Sequence, residues 1–196
     1  MPAKVLYLHG FNSSPLSQKA TEVRHFLERH HPQVELVVPD LGNDPAEALE
    51  RALVEATGCG TALMGIIGSS MGGFFAAILS QRLGLPAVLI NPAVYPHRLL
   101  KHYLGPQVNP YTGERYELLQ EHVAVLEAMD PQSLQAPERI FVLVQTGDET
   151  LDYRQAVERF AGCRFWIQPG GDHSFQAFSQ RLPAIFAFLQ SAVHSV

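Results

Sequence analysis

The sequence predicts an α/β fold built on a doubly wound, mostly parallel sheet of about six strands. Short apolar runs recur along the chain, segments of helical spacing separate them, and turn-forming residues lie between the two. The runs are Val5 to Leu8, Val34 to Val38, Ala62 to Ile67, Ala87 to Ile90, Ile140 to Val144 and Phe165 to Ile167. Such short runs without polar alternation fit strands covered on both faces.

Ala20, Val23, Phe26 and Leu27 form a stripe that places a helix between the first two strands, and Leu49, Leu53 and Ala56 do so between the second and third. The second helix carries its own start signal, with Asp44 as N-cap, Pro45 at the first helical position and Glu47 completing a capping box. Phe74, Phe75, Ile78 and Leu79 give a third apolar helix face. Phe178, Leu182, Ile185, Phe186 and Leu189 give a C-terminal amphipathic helix, in which Pro183 marks a fresh start or a kink.

The alternation breaks once, between about residues 92 and 136, a stretch far longer than a simple crossover requires. Leu99, Leu100, Tyr103 and Leu104, and later Leu118, His122, Val125, Leu126 and Met129, have helical spacing there. Gly105-Pro106, Asn109-Pro110 and Thr112-Gly113 punctuate the middle. The expectation is one domain over residues 1–196 with a helical lid inserted at about 92–136, its Leu99, Leu100, Tyr103 and Leu118 lining a substrate pocket.

With 196 residues, 46% of them hydrophobic and 17% charged, the chain can bury a sizeable core and has little of the composition of disorder. A formal net charge of −5 lacks the positive field that nucleic-acid binding needs. Cys59 and Cys163 form neither a disulfide framework nor a metal-binding spacing, which favours a reducing compartment. The first apolar run is too short for a signal peptide or a membrane span. A cytoplasmic protein with a small-molecule partner, and neither nucleic acid nor membrane, is expected.

The third apolar run leads into Gly68-Ser69-Ser70-Met71-Gly72-Gly73, which contains a Gly-x-Ser-x-Gly. A buried strand before it, an apolar helix after it and flanking glycines are what a nucleophile elbow needs, because the turn is strained and its neighbours approach the backbone closely. Read so, Ser70 is a nucleophile; read structurally, it caps a helix. A serine needs a base, and the base a carboxylate. His173, in Gly170-Gly171-Asp172-His173 just past the last strand, is the best placed of nine histidines. The acid follows the penultimate strand, where Asp148 comes soonest after Gly147 and Asp152 is its rival, although Asp152 also reads as the N-cap of the next helix. The order Ser, Asp, His is that of α/β-hydrolases.

The backbone N–H groups of Met71 and of Phe11, in Leu8-His9-Gly10-Phe11-Asn12, would form the oxyanion hole. His9 reads either as a second candidate base or, preferably, as a residue that orders this loop.

Together with these motifs, Asn91-Pro92-Ala93, Asn109-Pro110-Tyr111-Thr112-Gly113-Glu114 and Gly147-Asp148-Glu149 with Leu151-Asp152-Tyr153 resemble those of the YqiA-like esterases, small bacterial α/β-hydrolases, over nearly the whole chain. The resemblance implies hydrolysis of carboxylic esters of small or acyl-chain substrates without a cofactor, with Ser70 as nucleophile and His173 as base. Thr150 stands where an aliphatic residue is expected. Acyl-CoA thioesterase activity is an alternative, with Arg98, Lys101 and Arg115 meeting phosphates; a binding protein that retains the fold without catalysis is another. No Gly-x-Gly-x-x-Gly follows the first strand and no Gly-Lys-Ser/Thr occurs, which disfavours nucleotide chemistry. His25, His30, His31, His97 and His102 lack His-Glu-x-x-His spacing and read as solvated helix faces, so no metal is expected.

Overall fold

A computed structural model describes residues 2–131 and 133–193, so the ends of the expected 1–196 domain and residue 132 of its insertion lie outside the described residues. Six of the strands form one parallel sheet in the order β2-β1-β3-β4-β7-β8. In chain order the elements are β1 (Ala3–Leu8), α1 (Gln18–His30), β2 (Val34–Val37), α2 (Pro45–Cys59), β3 (Leu63–Ser69), α3 (Met71–Leu83) and β4 (Ala87–Ile90). They continue with α4 (Pro96–Leu100), β5 (Gly105–Val108), β6 (Arg115–Leu118), α5 (Gln120–Met129), β7 (Ile140–Gln145), α6 (Tyr153–Arg159), β8 (Arg164–Gln168) and α7 (Leu182–Val193).

All six expected sheet strands are present, two of them with ends that matter. The first residue of the third run, Ala62, lies in a 3-10 turn ahead of β3, and β7 runs one residue further than its apolar stretch, to Gln145. Alternate side chains of each central strand serve two cores. Leu6, Ile66, Leu89 and Val142 face α2, α3 and α5, while Val5, Ile67, Val88 and Leu143 face α1 and α7. The α3 helix is buried over its first ten residues and so is apolar nearly all round.

The chain passes from β1 outward to β2, then returns to lay β3 on the other side of β1. Loops leaving the carboxyl ends of β1 and β3 therefore diverge and open a crevice, the usual ligand site of such sheets. Ser70 and Phe11 stand at its two sides.

The insertion differs from the expected pair of helices. Its middle is an antiparallel hairpin, β5 against β6, registered from Gly105 opposite Leu118 to Val108 opposite Arg115. Leu118, which shares helical phase with His122, is the last residue of β6 and is buried in the core; α5 begins at Gln120. Leu104 ends a 3-10 turn that follows α4.

The capping box at α2 is half formed. Asp44 accepts from the N–H groups of Ala46 and Glu47, while the Glu47 carboxylate turns outward to Arg51 at 2.9 Å. Pro183 begins α7 rather than kinking it, and Phe178 belongs to the preceding 3-10 turn. His97 is buried, 6% exposed, where α4 packs on α5, and is not on a solvated face. No described helix is long and apolar enough to cross a membrane.

Gly72 lies against the Leu8 carbonyl so closely that a Cβ there would collide with backbone. Neither side can yield, so Gly72→Ala is expected to cost on the order of 2–4 kcal/mol in urea unfolding. Gly58, inside α2 with open space around it, provides the opposite case. Gly58→Ala is expected to stabilise by about 0.5–1 kcal/mol, and a destabilising result would contradict this reading of the two positions.

Candidate active site

Ser70 joins β3 to α3 with φ 56° and ψ −120°, a backbone region that costs a non-glycine residue roughly 1–3 kcal/mol. Three backbone hydrogen bonds hold it there. Its N–H donates to Ile90 O at 3.0 Å, and its carbonyl accepts from Gly73 N at 2.9 Å and Ala93 N at 3.0 Å. The turn leaves the hydroxyl projecting at the sheet edge beside the start of α3. Ser70 makes no side-chain capping bond, so the capping reading of this serine does not describe it.

Ser70 Oγ lies 3.1 Å from His173 Nε2, and His173 Nδ1 lies 2.8 Å from Asp148 Oδ2. With Asp148 ionised, Nδ1 carries the ring proton and donates it to the carboxylate, which leaves Nε2 free to accept from the serine hydroxyl. The other oxygen of Asp148 accepts from Thr150 N and Leu151 N at 2.9 and 2.8 Å, and the side chain is only 2% exposed. Asp152 stands elsewhere: it caps α6 through Arg154 N at 3.0 Å and is 45% exposed. Of the two aspartates, Asp148 is the one in contact with His173.

Phe11 follows Gly10, whose backbone runs against the end of β3; a methyl on Gly10 would stand 3.7 Å from Ser70 Oγ. Met71 is the first residue of α3, where backbone N–H groups lack helical partners. His9 is buried, 3% exposed. Its Nδ1 donates to Gly10 O at 3.0 Å and its Nε2 accepts from Leu41 N at 3.4 Å, so it orders the loop and does not face Ser70. Burial holds its pKa below the ordinary imidazole value, which keeps the ring neutral, as both bonds require.

A cavity of about 200 Å³ opens beside Ser70 and His173. Tyr7, Ser17, Lys19, Ser69 and Tyr111 help to line it. None of the four insertion residues expected at the pocket lines this cavity. Leu100 and Leu118 are core residues, Tyr103 packs edge-on against Phe11 at 6.3 Å, and Leu99 is half-buried on α4. Leu100 instead borders a narrower apolar slot with Leu41, Met71 and Phe75 on the other side of the Gly10-Phe11 loop. The insertion reaches the cavity through Tyr111, whose N–H binds Asn109 Oδ1 at 2.9 Å in the hairpin turn. Arg98, Lys101 and Arg115, the expected phosphate contacts, are exposed and border neither space; Arg98 lies over the Tyr95 ring.

Two buried amides absent from the sequence reading of the site hold the histidine loop. Asn91 Nδ2 donates to the carbonyls of Asp172 and His173 at 3.0 and 3.3 Å, while its Oδ1 accepts from Gln145 N at 3.0 Å. The Gln145 side chain, wholly buried, accepts from Asp172 N and Gln176 N and donates to Gln176 O. Their signal in the sequence is a polar residue placed directly after each of two apolar strand runs.

Residues 4–190 match the uncharacterised protein family UPF0227. The fold is similar to that of Est1E from Butyrivibrio proteoclasticus, at 15% identity and TM-score 0.70 over 98% of this chain and 89% of that one. It is also similar to the alpha/beta hydrolase domain-containing protein 10 from mouse, at 15% identity and TM-score 0.70 over 97% and 90% of the two chains. XC6422 from Xanthomonas campestris, described as an α/β serine hydrolase without lid, matches at 12% identity and TM-score 0.62 over 98% and 81%. The fold is thus that of the α/β-hydrolases.

Replacing Asn91 by the similarly sized Leu removes the acceptor for Gln145 N and the donor to two carbonyls. The loss is expected to be about 2–4 kcal/mol in urea unfolding, since those partners stay buried. A cost below about 0.5 kcal/mol would show that the loop is held by other means.

Proposed function

We propose that this chain, which belongs to the uncharacterised protein family UPF0227 that includes the YqiA-like esterases, is a serine hydrolase of small carboxylic esters. The observation that carries the reading is the chain of contacts from Ser70 Oγ through His173 to the buried Asp148 carboxylate. Such a chain turns a weak hydroxyl nucleophile into a reactive one. Ser70 Oγ attacks the ester carbonyl as its proton passes to His173 Nε2, and Asp148 stabilises the imidazolium that results. The oxygen of the tetrahedral intermediate takes its hydrogen bonds from the backbone N–H groups of Met71 and Phe11. His173 then gives its proton to the departing alcohol. Water, activated by the same ring, releases the acid from the acyl-serine.

A cavity of about 200 Å³ at the nucleophile supports a small-molecule substrate, and the absence of Arg98, Lys101 and Arg115 from its walls favours an ester over an acyl-CoA thioester. The free cysteines Cys59 and Cys163 are in keeping with a cytoplasmic location.

Treatment of the folded protein with a fluorophosphonate is expected to give one adduct, on Ser70, that is lost in Ser70→Ala. A folded wild type that takes no label would overturn the enzyme reading in favour of a binding protein. Asp148→Asn is expected to lower kcat/KM roughly 10³-fold or more, by analogy with other Ser-His-Asp sites, and Asp152→Asn to change it less than about threefold. The reverse ranking would transfer the acid role.

A further inference from the structure

The cavity beside Ser70 has an uneven charge. Among the described residues that line it there is no carboxylate, and Lys19 is its one permanent cation. Lys19 Nζ donates to Ser174 O at 2.9 Å, next in sequence to His173. Among the described residues it has no ion-pair partner, and beside its bond to Ser174 O two of its three N–H donors remain. Burial lowers the Lys19 pKa from the usual lysine value, with Glu22, Asp172 and Asp148 acting in the other direction from beyond pairing distance. A half-buried ammonium with no carboxylate at pairing distance can gain a charge-assisted hydrogen bond from an anionic ligand in the cavity.

Two further features converge on the same space. The 13-residue α1 begins here, with Ser17 as N-cap and Gln18 and Lys19 as its first residues, all three on the cavity wall. Its first turn carries no acidic residue, and the one carboxylate close by in the helix, Glu22, is turned to the Gln18 side chain at 3.0 Å. Ser17 is 8% exposed, yet its hydroxyl caps nothing and completes no hydrogen bond of ordinary geometry, although it faces the Tyr7 phenol. A hydroxyl in that position can turn from the phenol to an acceptor in the cavity.

We propose that this cavity is an anion subsite, and that the ester hydrolysed at Ser70 carries a carboxylate seated against Lys19 Nζ, Ser17 Oγ and the amino end of α1. The inference rests on the serine-hydrolase reading and narrows its substrate to half-esters and other acid-bearing esters. A carboxylate fits better than a phosphate because one ammonium balances one charge, and no second cation lines the space.

Two matched pairs of esters test this: 4-nitrophenyl hemisuccinate against 4-nitrophenyl pentanoate, with the charge on the acyl side, and 4-acetoxybenzoate against phenyl acetate, with the charge on the leaving group. In at least one pair kcat/KM is expected to favour the anionic ester roughly tenfold at low salt, with the preference shrinking at about 0.5 M salt. Lys19→Met is expected to lower that ratio about tenfold, and Lys19→Arg to keep it within about threefold. Lys19→Gln, which keeps a donor for Ser174 O but not the charge, is expected to behave as Lys19→Met does. Neutral esters preferred in both pairs, or a ratio that Lys19→Met and Lys19→Gln leave unmoved, would overturn the proposal. Fluorophosphonate labelling of Ser70 in each protein separates the two levels. Labelling without ionic preference removes the anion subsite and leaves the hydrolase standing, whereas a folded wild type that takes no label removes both.

Discussion

The site depends on how tightly the first turn of α3 is pressed against β1. Gly72 meets the Leu8 carbonyl with no room for a side chain, and Gly68 meets Gly72 in the same way. At that separation a single residue must turn the chain from strand to helix. Ser70 is that residue, and its left-handed φ follows from the crowding. The strain is offset by hydrogen bonds from β4 and the residues after it, through Ile90 O and Ala93 N. Projection of the hydroxyl, proximity of the helix amino end and contact with the Gly10 loop are three results of one close crossing.

The histidine arrives from the other end of the sheet and needs a different kind of support. Its loop follows β8, two strands beyond β4, and carries Gly170 and Gly171 at positive φ. Packing alone specifies such a segment poorly, since its polar backbone cannot be buried without partners. Asn91 and Gln145, at the carboxyl ends of neighbouring strands, supply them. A neutral amide both donates and accepts, so the two side chains bind carbonyls and N–H groups together without burying a charge. The Asp148 carboxylate, buried in the same region, takes two backbone N–H groups and the His173 ring.

What the sequence reveals follows the range of the interactions involved. Parallel strands are visible because full burial leaves continuous apolar runs, and the Ser70, Asp148 and His173 positions because each follows such a run and a glycine. Asp148 and Asp152 differ on local grounds, since Asp152 caps the next helix and has its carboxylate engaged there, while Asp148 meets His173. The hairpin was hidden because Gly-Pro-Gln-Val and Arg-Tyr-Glu-Leu alternate weakly and Leu118 falls in phase with α5 by coincidence of spacing. Lys19 was invisible for another reason. On the helix it is simply a polar residue beside the Ala20, Val23, Leu27 stripe, and only the turn that binds Ser17 N to Ser14 O swings it to the cavity.

The insertion has its firmest grip on the loop that carries Phe11. The Phe11 ring is flanked edge-on by Tyr103 and Tyr116, at 6.3 and 6.4 Å. The Tyr116 hydroxyl donates to Asn12 Oδ1 at 2.8 Å, beside the positive φ of Asn12, and Asn109 Nδ2 donates to Ser13 O at 3.0 Å. Asn109 is itself buried and closes the hairpin turn by accepting from Tyr111 N and Thr112 N. One asparagine therefore shapes the turn, brings Tyr111 to the cavity and ties the hairpin to the β1 loop. A segment so attached acts first as a buttress, because any shift of the hairpin is passed through Asn12 and Ser13 to the backbone N–H of Phe11. On the serine-hydrolase reading proposed above, its influence at Ser70 runs through the position of that N–H more than through covering of a substrate.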